Sequence, residues 1–113
     1  MARIKHIAIA TNDADGTRDF YTDIIGMNVV RSVEMAKYSG YILSDGYINL
    51  AILDFKQDDA AGTERGTAFE GLHHIGIQAD PNEGVIEKLT SHGFKPRTDI
   101  LSLIHISEPP SPR

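Results

Sequence analysis

A chain of 113 residues is long enough for one hydrophobic core, or for two half-size modules sharing one, and too short for two independent domains. Its net charge of -5, from 11 basic and 16 acidic residues without a long run of either sign, leaves no electrostatic footprint for nucleic acid or an anionic membrane surface. With no cysteine, disulfides, thiolate zinc sites and cysteine nucleophiles are excluded, and any metal must be held by imidazole and oxygen.

The elements follow in chain order. Ile4 to Ala10 alternates and is rich in β-branched residues, which predicts a strand with Ile7 and Ile9 on one face and His6, Ala8 and Ala10 on the other. Thr11 to Asp15 supplies turn and capping chemistry. Phe20, Ile24 and Ile25 then recur at helical spacing until Gly26 stops the pattern, and Phe20 is expected in the core. Strands are predicted at Asn28 to Met35, Tyr38 to Leu43 and Tyr47 to Phe55. The polar stretch Gln57 to Gly66 reads as a loop.

A strand follows at Leu72 to Gln78, then a turn at Asp80-Pro81-Asn82 and a helix from Glu83 to His92 that ends at Gly93, with His92 as a C-terminal cap. Phe94 to Ile100 begins a further strand. Beyond it, the prolines of Ser107 to Arg113 remove the donors a ladder needs. Leu101 to Pro109 also resembles the translated read-through of a sequencing-library adapter.

These elements form a repeat. Lys5-His6-Ile7-Ala8-Ile9 returns as His73-His74-Ile75-Gly76-Ile77, and with His6 over His74 the pairs Gly16/Gly84 and Thr22/Thr90 are identical. Two imidazoles placed alike by internal symmetry point to a metal site. By strand parity His73 faces away from His74 and packs beside the helix. The same alternation puts Asn49, Tyr47 and Gln78 on the cleft side as substrate-binding candidates, with Tyr38 and Tyr41 as further lining residues. Ordinary polar residues on an open sheet face would give the same pattern.

On Lys5-His6-Ile7-Ala8-Ile9, Phe20-Tyr21-Thr22-Asp23-Ile24-Ile25-Gly26-Met27 and Gly71-Leu72-His73-His74-Ile75-Gly76-Ile77, the chain resembles the vicinal oxygen chelate superfamily of glyoxalases, bleomycin-resistance proteins and extradiol dioxygenases. The resemblance implies an α+β fold: paired β-α-β-β-β modules whose mixed sheet curls around a cleft, helices outside. Residues 1–56 form the first module, 57–70 a linker, 71–100 the start of an incomplete second module, and 101–113 a tail foreign to the fold.

It further implies His6 and His74 as metal ligands for Fe, Mn, Ni or Zn, and a glyoxalase- or dioxygenase-like enzyme acting on a small molecule with vicinal oxygens. Asn49 stands where glyoxalase-like members carry a glutamate. The carboxylate expected from the last strand of the second module falls past Arg113, with Glu108 the nearest candidate by number. A truncated second module therefore holds metal weakly, and a metal-free binding protein of the bleomycin-resistance type is the alternative. A homodimer is expected, as is a cytoplasmic location, because no apolar stretch approaches the roughly 20 residues of a membrane span and no signal-peptide pattern opens the chain.

Overall fold

A computed structural model describes residues 2–58 and 66–94. Strand β1 (Arg3–Ala10) leads into helix α1 (Ala14–Asp19), whose first turn is capped by Asp13, its carboxylate accepting the Gly16 N–H at 3.0 Å. Capping of this kind satisfies donors that a helix start leaves open. The helix runs on as a π-helical segment, Phe20–Ile25, and ends at Gly26, whose φ of 92° is open to glycine at little cost. Strands β2 (Asn28–Glu34), β3 (Tyr38–Ser44) and β4 (Asn49–Phe55) follow as an antiparallel meander, and β5 is Gly71–Gln78.

The β3–β4 turn is held by Asp45, whose carboxylate accepts the N–H groups of Tyr47 and Ile48 at 2.8 and 2.7 Å. Those bonds keep its carboxyl below the usual aspartate range.

The five described strands form one mixed sheet in the order β2-β3-β4-β1-β5, parallel only between β1 and β4. That pairing sets His6 against Asn49, Ala8 against Ala51 and Ala10 against Leu53 on one face, and Ile7 against Leu50 and Ile9 against Ile52 on the other. The second face is the core. Leu43, Leu50 and Ile52 are buried there, with Ile7, Ile9, Ala14, Tyr21, Met27 and Tyr41 packed around them. Each fully buried Leu or Ile contributes about 1.5–3 kcal/mol. On the first face the small residues Ala8 and Ala51 stand opposite each other and form a floor rather than a filled layer.

Arg3–Gln78 make one compact unit, so β5 belongs to the same sheet as β1 to β4. Among the described residues, Ala2 and those from Ala79 to Phe94 fall in a second unit. Within it, Asp80 and Glu83 form a capping box around the turn Pro81–Glu83, and helix α2 (Val85–Ser91) ends at His92, whose Nδ1 lies 2.8 Å from the Lys88 carbonyl. The strand expected from Phe94 to Ile100 and the tail lie outside the described residues. Among the described residues no helix is long and apolar enough to cross a membrane.

One expectation is overturned in the helix. Phe20, Ile24 and Ile25 are 46, 70 and 56% exposed, while Tyr21 reaches the core. From Phe20 onward the bonding is π-helical, with i→i+5 bonds; the extra residue per turn rotates the apolar phase, and an α-helical spacing argument then selects the wrong side chain.

Candidate metal centre and cleft

His6 sits mid-strand on β1 between Asn49 of β4 and Gly76 of β5. A Cβ at position 76 would stand 3.0 Å from the His6 Cβ, so the glycine leaves the imidazole room that most residues would contest. His74 lies directly opposite Ala8, which makes it a diagonal neighbour of His6 on the same face. The two rings have centroids 5.3 Å apart at 30°. Burial pushes the His6 pKa down, favouring the neutral imidazole that has a lone pair to give.

The face these rings share is concave. A cavity of about 240 Å³ is walled by Val33, Ile42, Ala51 and Leu53 and edged by His6, His74, Tyr38 and Arg31. Among the described residues Arg31 is the one guanidinium or ammonium group that lines it, and it has no carboxylate partner there. A guanidinium beside aliphatic walls is suited to a carboxylate or phosphate, which it can grip in a planar fork. Among the described residues no carboxylate lines the cavity.

The sequence candidates are dispersed around this cleft. Asn49 is the parallel-strand neighbour of His6. Tyr47 is engaged elsewhere: the Lys5 ammonium lies 4.1 Å and the Arg3 guanidinium 4.4 Å from its ring centroid, and Lys5 donates to its carbonyl. Gln78 pairs with Arg3 at the far end of β5, past a register irregularity between Ile4 and His6. Tyr38 lines the cavity, but Tyr41 lies on the core side, its hydroxyl donating to Asp15 at 2.5 Å and accepting from Arg18 at 2.8 Å.

His73 does not pack beside a helix away from His74. The β1–β5 register advances from Ala8↔His74 to Ile9↔Leu72, so His73 is the extra residue of a β-bulge. Its ring lies on Phe55 at 4.8 Å, and its Nδ1 is 2.9 Å from Nδ1 of His74.

Arg31 was missed for a similar reason. Val29 pairs with Leu43 but Arg31 pairs with Ile42, so an irregularity at Val30 turns Arg31 toward the cleft. Plain alternation would have kept Arg31 on the face of Val29.

The pair His6 and His74 fits a divalent ion. With metal–nitrogen bonds of about 2.1 Å, two imidazoles on one ion have centroids about 4.6–5.2 Å apart for right-angled to tetrahedral geometry, near the 5.3 Å found. Among the described residues no group of three or more His, Asp or Glu is gathered as a complete ligand set.

A comparison with curated proteins produced no match. Among solved structures, a methylmalonyl-CoA epimerase in complex with methylmalonyl-CoA and NH4+ is 28% identical with TM-score 0.65, covering 88% of this chain and 75% of that one. A variant of Streptomyces coelicolor methylmalonyl-CoA epimerase bound to 2-nitronate-propionyl-CoA is 30% identical with TM-score 0.58, covering 80% and 71%. A hypothetical protein from Bacillus halodurans, at 20% identity and TM-score 0.66 over 87% and 73%, shares the fold. The family profile matches residues 3–103, a range that includes the strands carrying His6 and His74, and the chain belongs to the Glyoxalase/Bleomycin resistance protein/Dioxygenase superfamily.

Proposed function

We propose that the chain is a metal-dependent enzyme of this superfamily that acts on a small anionic molecule with two neighbouring oxygens, in the manner of the acyl-CoA epimerases it resembles. The observation that carries the proposal is the convergence of His6 and His74 on one face of a concave sheet, with their rings 5.3 Å apart. The identity of 28–30% to methylmalonyl-CoA epimerases supports the substrate class.

In this reading His6 and His74 would hold the ion, and a divalent metal bound there would supply charge neutralisation to an anionic substrate oxygen. Arg31 orients an anionic group of the substrate from the cavity edge. Asn49, next to His6 in the register, donates its amide to a substrate oxygen. Val33, Ile42, Ala51 and Leu53 keep water from the reacting face, which strengthens each of these polar contacts. Epimerisation also needs a proton acceptor. Among the described residues no carboxylate lines the cavity to provide one, so these residues account for binding and activation.

Purified protein dialysed against Mn, Fe, Ni or Zn is expected to retain about one ion per His6–His74 pair and to bind methylmalonyl-CoA. Metal analysis after dialysis, and deuterium uptake at the α-carbon of methylmalonyl-CoA in heavy water, read the two parts separately. Failure to retain any of the four metals would sink the proposal. Metal retention without α-exchange would leave chelation and remove the epimerase-type reaction.

The proposal includes a homodimer. Strand β5 is at the sheet edge among the described strands, and Leu72, Ile75 and Ile77 on it are 56, 48 and 62% exposed. An apolar open edge recruits another chain. Light scattering at micromolar concentration is expected to return twice the mass of one chain, and a monomer would contradict the pairing.

A further inference from the structure

We infer that the Arg31 end of the cleft is a carboxylate subsite separate from the metal end, so that the substrate has two heads. A carboxylate sits on Arg31 and, across an apolar spacer, a second oxygen-bearing head faces His6 and His74. The second head rests on the reading of His6 and His74 as ligands; the Arg31 subsite does not.

The register lays one row of residues across the five described strands. Arg31 of β2 pairs with Ile42 of β3, Ile42 with Ala51 of β4, Ala51 with Ala8 of β1, and Ala8 with His74 of β5. The irregularity at Val30 is what puts Arg31 in this row. A guanidinium therefore stands at one end and an imidazole at the other, with Ile42, Ala51 and Ala8 between them. Arg31 is three strand spacings from Ala8, about 14 Å along the sheet, and four from His74. The curl of the sheet and the reach of the arginine shorten that path, but a single carboxylate is smaller than one strand spacing and does not touch both ends.

Charge and polarity say what fits there. Among the described residues Arg31 makes no ion pair, and the carboxylate on its own strand, Glu34, is taken by Lys56 at 2.8 Å. The guanidinium edges a cavity of about 240 Å³ whose walls are Val33, Ile42, Ala51 and Leu53. Once a ligand displaces water from those walls, the attraction between a guanidinium and an anion strengthens, and the planar fork suits a carboxylate. One cation balances the single charge of a carboxylate and only part of a phosphate dianion. Between the two ends the walls favour methylenes, because a polar group laid on them would lose water without gaining a partner.

Two titrations test this. In chelator, with no metal present, hexanoate is expected to bind the wild type about 10-fold more tightly than hexanamide, which has the same chain and no charge. Arg31→Gln should abolish that preference, and Arg31→Lys, which keeps the charge but not the fork, should retain part of it. From butyrate to hexanoate affinity should rise by up to about 4-fold per methylene. Arg31 is exposed, so thermal denaturation of both variants should match the wild type. With zinc loaded, the best of the dicarboxylates from glutarate to sebacate should bind more tightly than the monocarboxylate of the same length, and that gain should vanish in Arg31→Gln.

Hexanoate and hexanamide binding alike in the wild type, or a preference for hexanoate that survives in Arg31→Gln, overturns the subsite. Zinc-loaded protein that gains nothing from the second carboxylate at any length overturns the two-headed substrate. A wild type that retains no zinc yet holds hexanoate through Arg31 supports the subsite and removes the metal reading alone, so the two failures are distinguishable.

Discussion

Gly40→Ala is expected to lose at least about 3 kcal/mol of stability, a large share of the roughly 5–15 kcal/mol available to a domain. Gly40 is buried in the middle of β3, between Val33 of β2 and Leu53 of β4, and its φ is 154°. A Cβ there would stand 1.8 Å from the carbonyl oxygen of Ile52, which is backbone. A flexible side chain could swing aside; this oxygen belongs to a strand at the centre of the sheet, and Ile52 is fully buried. Relief therefore requires β3 and β4 to separate where Leu43, Leu50 and Ile52 hold the core together.

Gly46→Ala is the control. Gly46 has a φ of 105° but nothing within 4 Å of its added Cβ, so it incurs only the left-handed conformational penalty of about 1–2 kcal/mol. Thermal denaturation is expected to show Gly40→Ala falling by about 12 °C or more, at about 4–8 °C per kcal/mol for a domain near this size. A Gly40→Ala protein as stable as Gly46→Ala would show that the close approach is not a constraint.

How much of this was legible in the sequence depends on where the strands are regular. Ile7, Ile9, His6 and Ala8 alternate without interruption, so the face of His6 could be read directly, and the repeat at His74 gave its partner. The cleft floor was readable for the same reason, since Ala8 and Ala51 are small residues at matching parity.

Two irregularities hid the rest. A bulge at His73 and another at Val30 each shift parity by one, and a period of two carries no record of such a slip. His73 and Arg31 were consequently assigned to no site, although both stand on or beside the cleft side. Tyr47 departs from the pattern for a different reason. It lies before β4 begins at Asn49, so strand alternation did not govern it, and two cations of β1 cover its ring instead. Phe20 was misplaced by the π-helical turn. The face of a side chain was legible where the backbone kept its period and was lost where the period slipped.

His6→Ala and His74→Ala are each expected to reduce divalent-metal affinity by more than about 100-fold, beyond the roughly 10- to 100-fold range for loss of an orienting partner. The reasoning is one of ligand number. Among the described residues the cleft offers two imidazoles and no carboxylate, so either loss leaves a single fixed nitrogen. One imidazole on a sheet differs little from any surface histidine in its hold on an ion.

The fold should not pay for either change. His6 is half-buried over small residues and His74 is exposed, and neither belongs to the cluster around Leu43, Leu50 and Ile52. Calorimetric titration with zinc or cobalt, alongside thermal denaturation in chelator, separates the two effects. Equal losses in both variants at unchanged metal-free stability identify one shared ion. A loss confined to His74→Ala would instead place the ion on the His73-His74 pair, with His6 serving only to line the cavity.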